Sequence, residues 1–355
     1  MAFREYRGPL VRCRFVDPYD PLYIEYHDKE WAKPTFDDAY LWEMLVLEMM
    51  QAGLSWKTVL HKREAMRQAF DDFDVLKISR YDEAKIDELL ETPDIIHNRR
   101  KIKAMIANAE IFIKIVSEYG SFYAYLKTFT KGHIIYETGR VNSSLSDMIS
   151  KDLYAKGMRF VGSIIIYSYL QAIGVIDSHE KDCDLYVDIE LVDPKDDLDY
   201  EAKLLSDPQT MSYNAGYDVG GRYDYESGCI YLEKKDHHKR YQKRLAKGSY
   251  FAYIRDRKLD DYVGTVGFHY DDESGVYMCD IIIEARYRKR HYFKKAMYLL
   301  FIKASDRGIK ELYDIFDKDR GILDMFMMIG FDVVKEVQIE RFGKFCAGYL
   351  VRCEV

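Results

Sequence analysis

At 355 residues, 48% hydrophobic and 32% charged, the chain has the balance of a globular protein and length enough for two domains with cores of their own. A formal net charge of -7 excludes a protein held on nucleic acid by global charge, so any DNA contact has to come from a local basic patch. The opening MAFREYRGPLVRCRF lacks the apolar core of a secretory signal, and no apolar run reaches the ~20 residues that span a bilayer; the expectation is a cytoplasmic protein with no membrane partner.

In chain order, the first informative stretch runs from Pro21 to Trp56. All three tryptophans, Trp31, Trp42 and Trp56, fall inside it, beside Tyr23, Tyr26 and the carboxylate Glu48. Aromatic walls around one polar handle are how a pocket for a flat, polar ligand is built. The spacing of Leu41, Met44, Leu45, Leu47 and Met49 predicts a helix over 38–51, with Glu48 at the margin of its apolar face. From spacing alone, a half-exposed surface Glu and a ligand-binding Glu are equally open. Gly53 then ends or kinks the helix, and Trp56 is presented just beyond it.

Helical patterns continue through SWKTVLHKREAMRQAF, DEAKIDELLE, RRKIKAMIANAEIFIKIVSEYG, FYAYLKTF, SDMISKDLYAKG and SIIIYSYLQAIGVI, and no strand run is expected before Asp188. Arg99, Arg100, Lys101 and Lys103 form a charge run that reads equally as a solvated face or a phosphate contact. Gly157 and Gly162 bracket a tight turn between two helices, where backbone can approach closely and free amides can bind a phosphate oxygen. Six cysteines are spread as Cys13, Cys183, Cys229, Cys279, Cys346 and Cys353, which fits free thiols or metal ligands better than a disulfide framework. Cys13 precedes His27 by a short loop, and His179 and Cys183 stand one helical turn apart; by themselves such pairs are more often accidental than metal-binding.

The strings DPLYIEYHDKEW and LVLEMMQAGLSW resemble the 3-methyladenine DNA glycosylase I family, through Asp20, Pro21, Leu22, Tyr23, Tyr26, His27, Asp28, Glu30 and Trp31, then Leu47, Glu48, Gln51, Ala52, Gly53, Leu54, Ser55 and Trp56. The resemblance implies an all-α helix-hairpin-helix DNA glycosylase over 1–187 that acts on alkylated double-stranded DNA in base-excision repair. In that reading Trp56 stacks on the flipped-out base, Glu48 and Tyr26 bond its edge, and Tyr23 and Trp31 wall the pocket, with Phe15 where the family has a pocket Trp and Ala32 where it has Gly. It also implies that Cys13, His27, His179 and Cys183 hold a structural zinc. The hairpin turn at Gly157 and Gly162 would grip the DNA backbone, with Arg99 and Lys101 as further phosphate contacts. A 3-methylated adenine is already cationic, so the bond to its sugar is weakened, and an ionised Glu48 would favour such a base. Asp177, in the region where the wider superfamily carries a catalytic Asp, is expected only as a helix end or a support for the zinc loop.

After Tyr186 the texture changes. GSYFAYIRD, DYVGTVGFHYD and GVYMCDIIIEA predict strands, while DLDYEAKLLS, YFKKAMYLLFIKASDRG and DRGILDMFMMIGF predict helices. EKKDHHKRYQKR reads as a solvated basic helix. The order of these pieces resembles the GNAT acetyltransferase superfamily, implying an α/β mixed-sheet domain over 188–355. Its acetyl-CoA loop would be Arg286, Arg288, Lys289, Arg290 and His291, with Lys289 and His291 where glycines are expected and Phe326 where a proton-donating Tyr is common. Side chains at those two positions crowd a phosphate cradle and disfavour positive φ, so the expectation is a degenerate domain that binds a partner or senses cofactor. An active N-acetyltransferase with an unknown acceptor is the alternative.

Overall fold

The structure is a computed structural model and describes residues 11–217, 223–245 and 248–355. The chain divides into two compact units, Met1–Tyr186 and Val187–Val355.

Helix starts in the first unit are fixed by side chains that replace the missing turn. Asp20 accepts from the N–H groups of Leu22 and Tyr23 at the start of α1 (Pro21–Lys29), Asp37 from Ala39 before α2 (Asp38–Gln51), and Ser55 from Thr58 before α3 (Trp56–Ala69). Two shorter helices, α4 (Val75–Ile78) and α5 (Glu83–Glu91), lead to the long α6 (Arg99–Tyr119), capped by Asn98, and to α7 (Phe122–Thr130). A two-residue strand, β1 (Ile135–Tyr136), precedes α8 (Ser144–Ala155) and α9 (Ser163–Ala172); β1 pairs in parallel with β2 (Ile176–Asp177). That small pair is the one departure from the strandless first half the sequence suggests, and it draws the end of α9 back beside the chain between α7 and α8.

The first unit is organised around α2. Every residue from Leu41 to Met50 is buried, against α3, α6, α7 and α9. This corrects the amphipathic reading of 38–51: from Leu41 to Met50 the helix has no solvent face, so Glu43 and Glu48 are buried with the rest. Each leucine or methionine so placed contributes about 1.5–3 kcal/mol of transfer free energy, and each buried carboxyl demands a partner or a proton. Glu43 has partners, in Arg63 and Arg67 of α3 at 2.7 and 2.5 Å. Glu48 has none of that kind.

The second unit opens with β3 (Ile189–Val192) and the helices α10 (Asp199–Leu205), α11 (Pro208–Met211) and α12 (Lys234–Arg244). Strands β4 (Tyr250–Asp256), β5 (Asp261–Asp271) and β6 (Val276–Ile283) follow, then α13 (Tyr292–Ser305), β7 (Glu311–Asp317), α14 (Leu323–Met327), β8 (Asp332–Arg341) and β9 (Lys344–Glu354). The sheet order is β3-β4-β5-β6-β7-β9-β8. Its neighbours are antiparallel except β6 and β7, which run parallel and meet in register only at Met278 and Tyr313. Beyond that point the two strands part. DRGILDMFMMIGF is helical only over the short α14, and β7, β8 and β9 were not legible, because ELYDIFD carries acids inside the run and β8 is exposed along most of its length.

Candidate active site and metal cluster

Glu48 sits on α2, 3% exposed, and its Oε2 has no hydrogen-bond partner. Burial alone pushes its carboxyl up to about 8. The free site therefore holds a largely neutral acid at neutral pH, not the carboxylate expected from the sequence. Around it, Tyr26 and Trp56 are buried with ring centroids 5.1 Å apart, and the Nε1 atom of Trp56 is also buried without a partner. Proximity to Glu48 adds to the desolvation that raises the phenols of Tyr23 and Tyr26. Two polar atoms left unsatisfied among aromatic walls, Glu48 Oε2 and Trp56 Nε1, are costly in a folded core, by about 1–3 kcal/mol each, which is the signature of a site built for a ligand's polar edge. Trp42, grouped with the other two tryptophans from the sequence, packs instead against Phe112 in the core, at 5.2 Å between ring centroids.

Phe15 is 40% exposed and leans on Tyr23, Trp31 and His27, with centroids 5.9, 4.8 and 5.7 Å away. It joins the pocket wall to a second cluster. The ligand atoms of Cys13, His27 and Cys183, all buried, lie within 4.8 Å of one another. His179 is beside them, its ring 5.2 Å from that of His27. Both histidines bond a carboxylate through Nδ1, His27 with Asp28 at 2.9 Å and His179 with Asp177 at 2.8 Å. That leaves each Nε2 turned inward, and the Nε2 of His179 is buried with no partner. The hydrogen bond between the two thiols pushes Cys13 up and pulls Cys183 down.

The turn from α8 to α9 contains Gly157, at φ +105, where a Cβ would also come within 3.3 Å of Ile111. Gly162 has φ -60 and caps α9 without a side-chain bond, so only Gly157 needs to be glycine for its backbone. The charge run before it is split by the helix. Arg99 is on the surface, engaged by Glu83 and Asp87. Lys101, expected beside it on a phosphate-facing surface, is 4% exposed and donates from Nζ to the carbonyls of Met50 and Ala52, at 2.8 and 2.7 Å. What faces solvent next to the turn is a shallow basic concavity of about 500 Å³, lined by Arg100, Lys103, Tyr154, Arg159 and Phe160. Sequence reading missed Arg159, since a lone arginine in a turn gives no signal until α6 is placed against it.

In the second unit a cavity of about 1460 Å³ opens where β6 and β7 part, bounded by Cys279–Ile283, Asp314 and the loop 287–294. Lys289 and His291 both hold positive φ, 65 and 63. The loop before α13 thus keeps the backbone that glycine would favour, with side chains in place and about 1–2 kcal/mol of strain at each. Arg288 reaches back to the carbonyls of Ile283, Gln209 and Thr210, Arg286 pairs with Glu284 at 2.5 Å, and Arg290 stands over the Tyr287 ring. Phe326 is buried against Phe293, Phe316 and Phe331. On α12, His237 and His238 do not converge on a metal; His237 bonds Asp199 at 3.1 Å.

Comparison with known proteins matches two stretches of the chain to two families. Residues 16–186 match the methyladenine glycosylase family, and residues 222–331 match the acetyltransferase (GNAT) family. DNA-3-methyladenine glycosylase 1 of Escherichia coli (strain K12) is 39% identical over 184 residues, covering 50% of this chain and 97% of that protein. The DNA-3-methyladenine glycosylase of Haemophilus influenzae is 36% identical over 179 residues, covering 49% and 96%. A solved structure of 3-methyladenine DNA glycosylase I from Staphylococcus aureus is 36% identical, covers 50% of this chain and 96% of that one, and superposes with a TM-score of 0.47. The aromatic pocket around Glu48 therefore lies in a chain that, through its first unit, belongs to the methyladenine glycosylase family and carries a GNAT-type domain behind it.

Proposed function

We propose that the chain is a DNA-3-methyladenine glycosylase, cutting the bond between an alkylated adenine and its deoxyribose in double-stranded DNA. The observation that carries this reading is the buried, unpartnered carboxyl of Glu48 between Tyr26 and Trp56. A flipped-out 3-methyladenine stacks on Trp56, while Tyr26 and Glu48 meet its polar edge and Tyr23, Trp31 and Phe15 close the walls. As the cationic base enters, Glu48 gives up its proton to solvent and becomes the counter-charge. The electrons of the breaking C–N bond then neutralise the base, water adds to the sugar carbon, and the proton that this water sheds returns to Glu48. An alkylated base costs less to extrude than a well-paired one, which supplies part of the selectivity.

DNA backbone contacts are assigned to the hairpin turn at Gly157 and Gly162 and to Arg100, Lys103 and Arg159 of the basic concavity, with Arg99 at its edge. Cys13, His27, His179 and Cys183 suit a structural zinc. The orphaned Nε2 of His179 and the carboxylates behind both histidines are what a closed Cys2His2 set requires. Such an ion ties the segment before α1 to the segment after β2 and leaves no open position for chemistry. A cytoplasmic protein working on nucleoid DNA is the setting this function implies.

For the second unit, retained positive φ at Lys289 and His291 and the cavity beside them support acetyl-CoA binding, with the amides of the 288–292 loop at its pyrophosphate. The bound thioester would supply an acyl group, while Phe326 offers no proton to a departing thiolate.

The deciding experiment is release of 3-methyladenine from alkylated duplex DNA by the wild type, Glu48→Gln and Trp56→Ala. Release by the wild type with loss in both variants is expected. No release by the wild type, with binding kept, would leave a protein that recognises alkylated bases without excising them.

A further inference from the structure

Two polar side chains leave the inner face of α6, about two helical turns apart. Lys101 is buried with no carboxylate in reach among the described residues; there its Nζ bonds two carbonyls, those of Met50 and Ala52. Burial lowers its affinity for a proton, as expected for an ammonium taken from water. An apolar residue would fill that space at less cost. What the ammonium adds is a clamp on two carbonyls that the end of α2 leaves open. These flank Gln51, where the chain leaves α2, turns through Gly53 at φ +80 and reaches Ser55 and Trp56. Fixing this turn fixes the position of Trp56 relative to Glu48.

Further along, Asn108 is fully buried and bonds both backbone groups of Arg159: its Nδ2 donates to the carbonyl and its Oδ1 accepts from the N–H, each at 2.8 Å. That pair of bonds pins the hairpin turn between Gly157 and Gly162 to the same helix. Its Nδ2 also lies 3.4 Å from the sulfur of Met49, next to Glu48 on α2.

We propose that Lys101 and Asn108 are positioning residues that hold the base-recognition turn and the DNA-gripping turn in one register on α6. The inference rests on the glycosylase reading above. Lys101 sets the pocket, Asn108 sets the backbone grip, and the helix between them sets the reach from the held phosphate to the extruded base.

The test uses the full chain as wild type, Lys101→Met and Asn108→Ala, with four readouts: affinity for free 3-methyladenine, affinity for a duplex with an abasic-site analogue, single-turnover excision, and thermal unfolding. Lys101→Met is expected to weaken free-base binding by about tenfold and slow excision while leaving DNA affinity within about twofold. Asn108→Ala is expected to do the reverse, weakening DNA affinity and excision with free-base affinity within about twofold. Free-base binding by Lys101→Met equal to wild type would overturn the inference. So would losses in all three functional readouts that simply follow the folded fraction. If Lys101→Met does not fold, Lys101→Gln, which keeps a donor without the charge, is read the same way. A wild type that releases no base in single-turnover excision would instead overturn the glycosylase reading itself.

Discussion

A carboxyl that waits as a neutral acid has consequences at the scale of one residue. Glu48 is held near 8 in the folded protein against an ordinary value of 4.5, so between those values the native state carries a proton that the unfolded chain has lost. Stability then falls as pH rises through that window and levels off above it. Glu48→Gln has nothing to titrate, so its melting temperature should exceed that of the wild type by a margin that grows from pH 5 to pH 8; a constant margin across that range would contradict the burial argument. The same proton must leave when a cationic base binds, and calorimetry of 3-methyladenine binding in buffers of different ionisation heat should report its release. The motif strings made Glu48 and Trp56 legible as residues, but not their state. Spacing placed Glu48 at the margin of a helix face, and only packing on every side of α2 shows that it has no water to share its charge.

At the scale of elements, the basic run before Ile102 shows how a helix divides neighbours. Arg99, Arg100, Lys101 and Lys103 are nearly contiguous, yet the turn of α6 sends Lys101 into the core and Arg100 and Lys103 toward the hairpin. Removing Arg100 and Lys103 together, as the Ala variants, should weaken binding to all duplexes alike and flatten its salt dependence by about two counter-ions. An unchanged salt slope would place the DNA elsewhere. The metal cluster joins two segments far apart in sequence, so its effect belongs to the same scale. One zinc per chain is expected by elemental analysis, and Cys183→Ser should lose it and lower the melting temperature by several degrees. Full zinc content in that variant would remove Cys183 from the ligand set. The family resemblance implied these residues, where spacing alone favoured accident, and it left Asp177 as a helix end or a support for the zinc loop; the bond from Asp28 to His27 could not be foreseen, since it forms only once α1 is placed.

Across the whole molecule, each unit has its own core and its own site, and a fragment of residues 11–186 should excise 3-methyladenine at a rate close to that of the full chain. A drop of about tenfold or more would mean that the second unit contributes to the reaction. Calorimetric titration of the full chain with acetyl-CoA tests the other half; absence of binding would show that Lys289 and His291 have closed the cradle. The helical first unit was readable almost element by element, because its periodicity is strong and its caps are the usual Asp, Ser and Asn. The second was readable only to α13. Past α13 the strands are exposed, acidic or interrupted, and their partners come from distant parts of the chain.

Strand order gives the second unit a schedule. β9 lies between β7 and β8, and apart from it β7 touches the sheet only through the single register pair with β6. As the chain emerges from a ribosome, β7 and β8 are therefore made before the strand that must pass between them exists. The first unit ends at Tyr186 and is made before any of this sheet, and the sheet stays open until residues 344–354 arrive. A chain stopped just short of residue 344 should carry a working first unit joined to an unclosed second one, with bare strand edges that invite pairing with its neighbours.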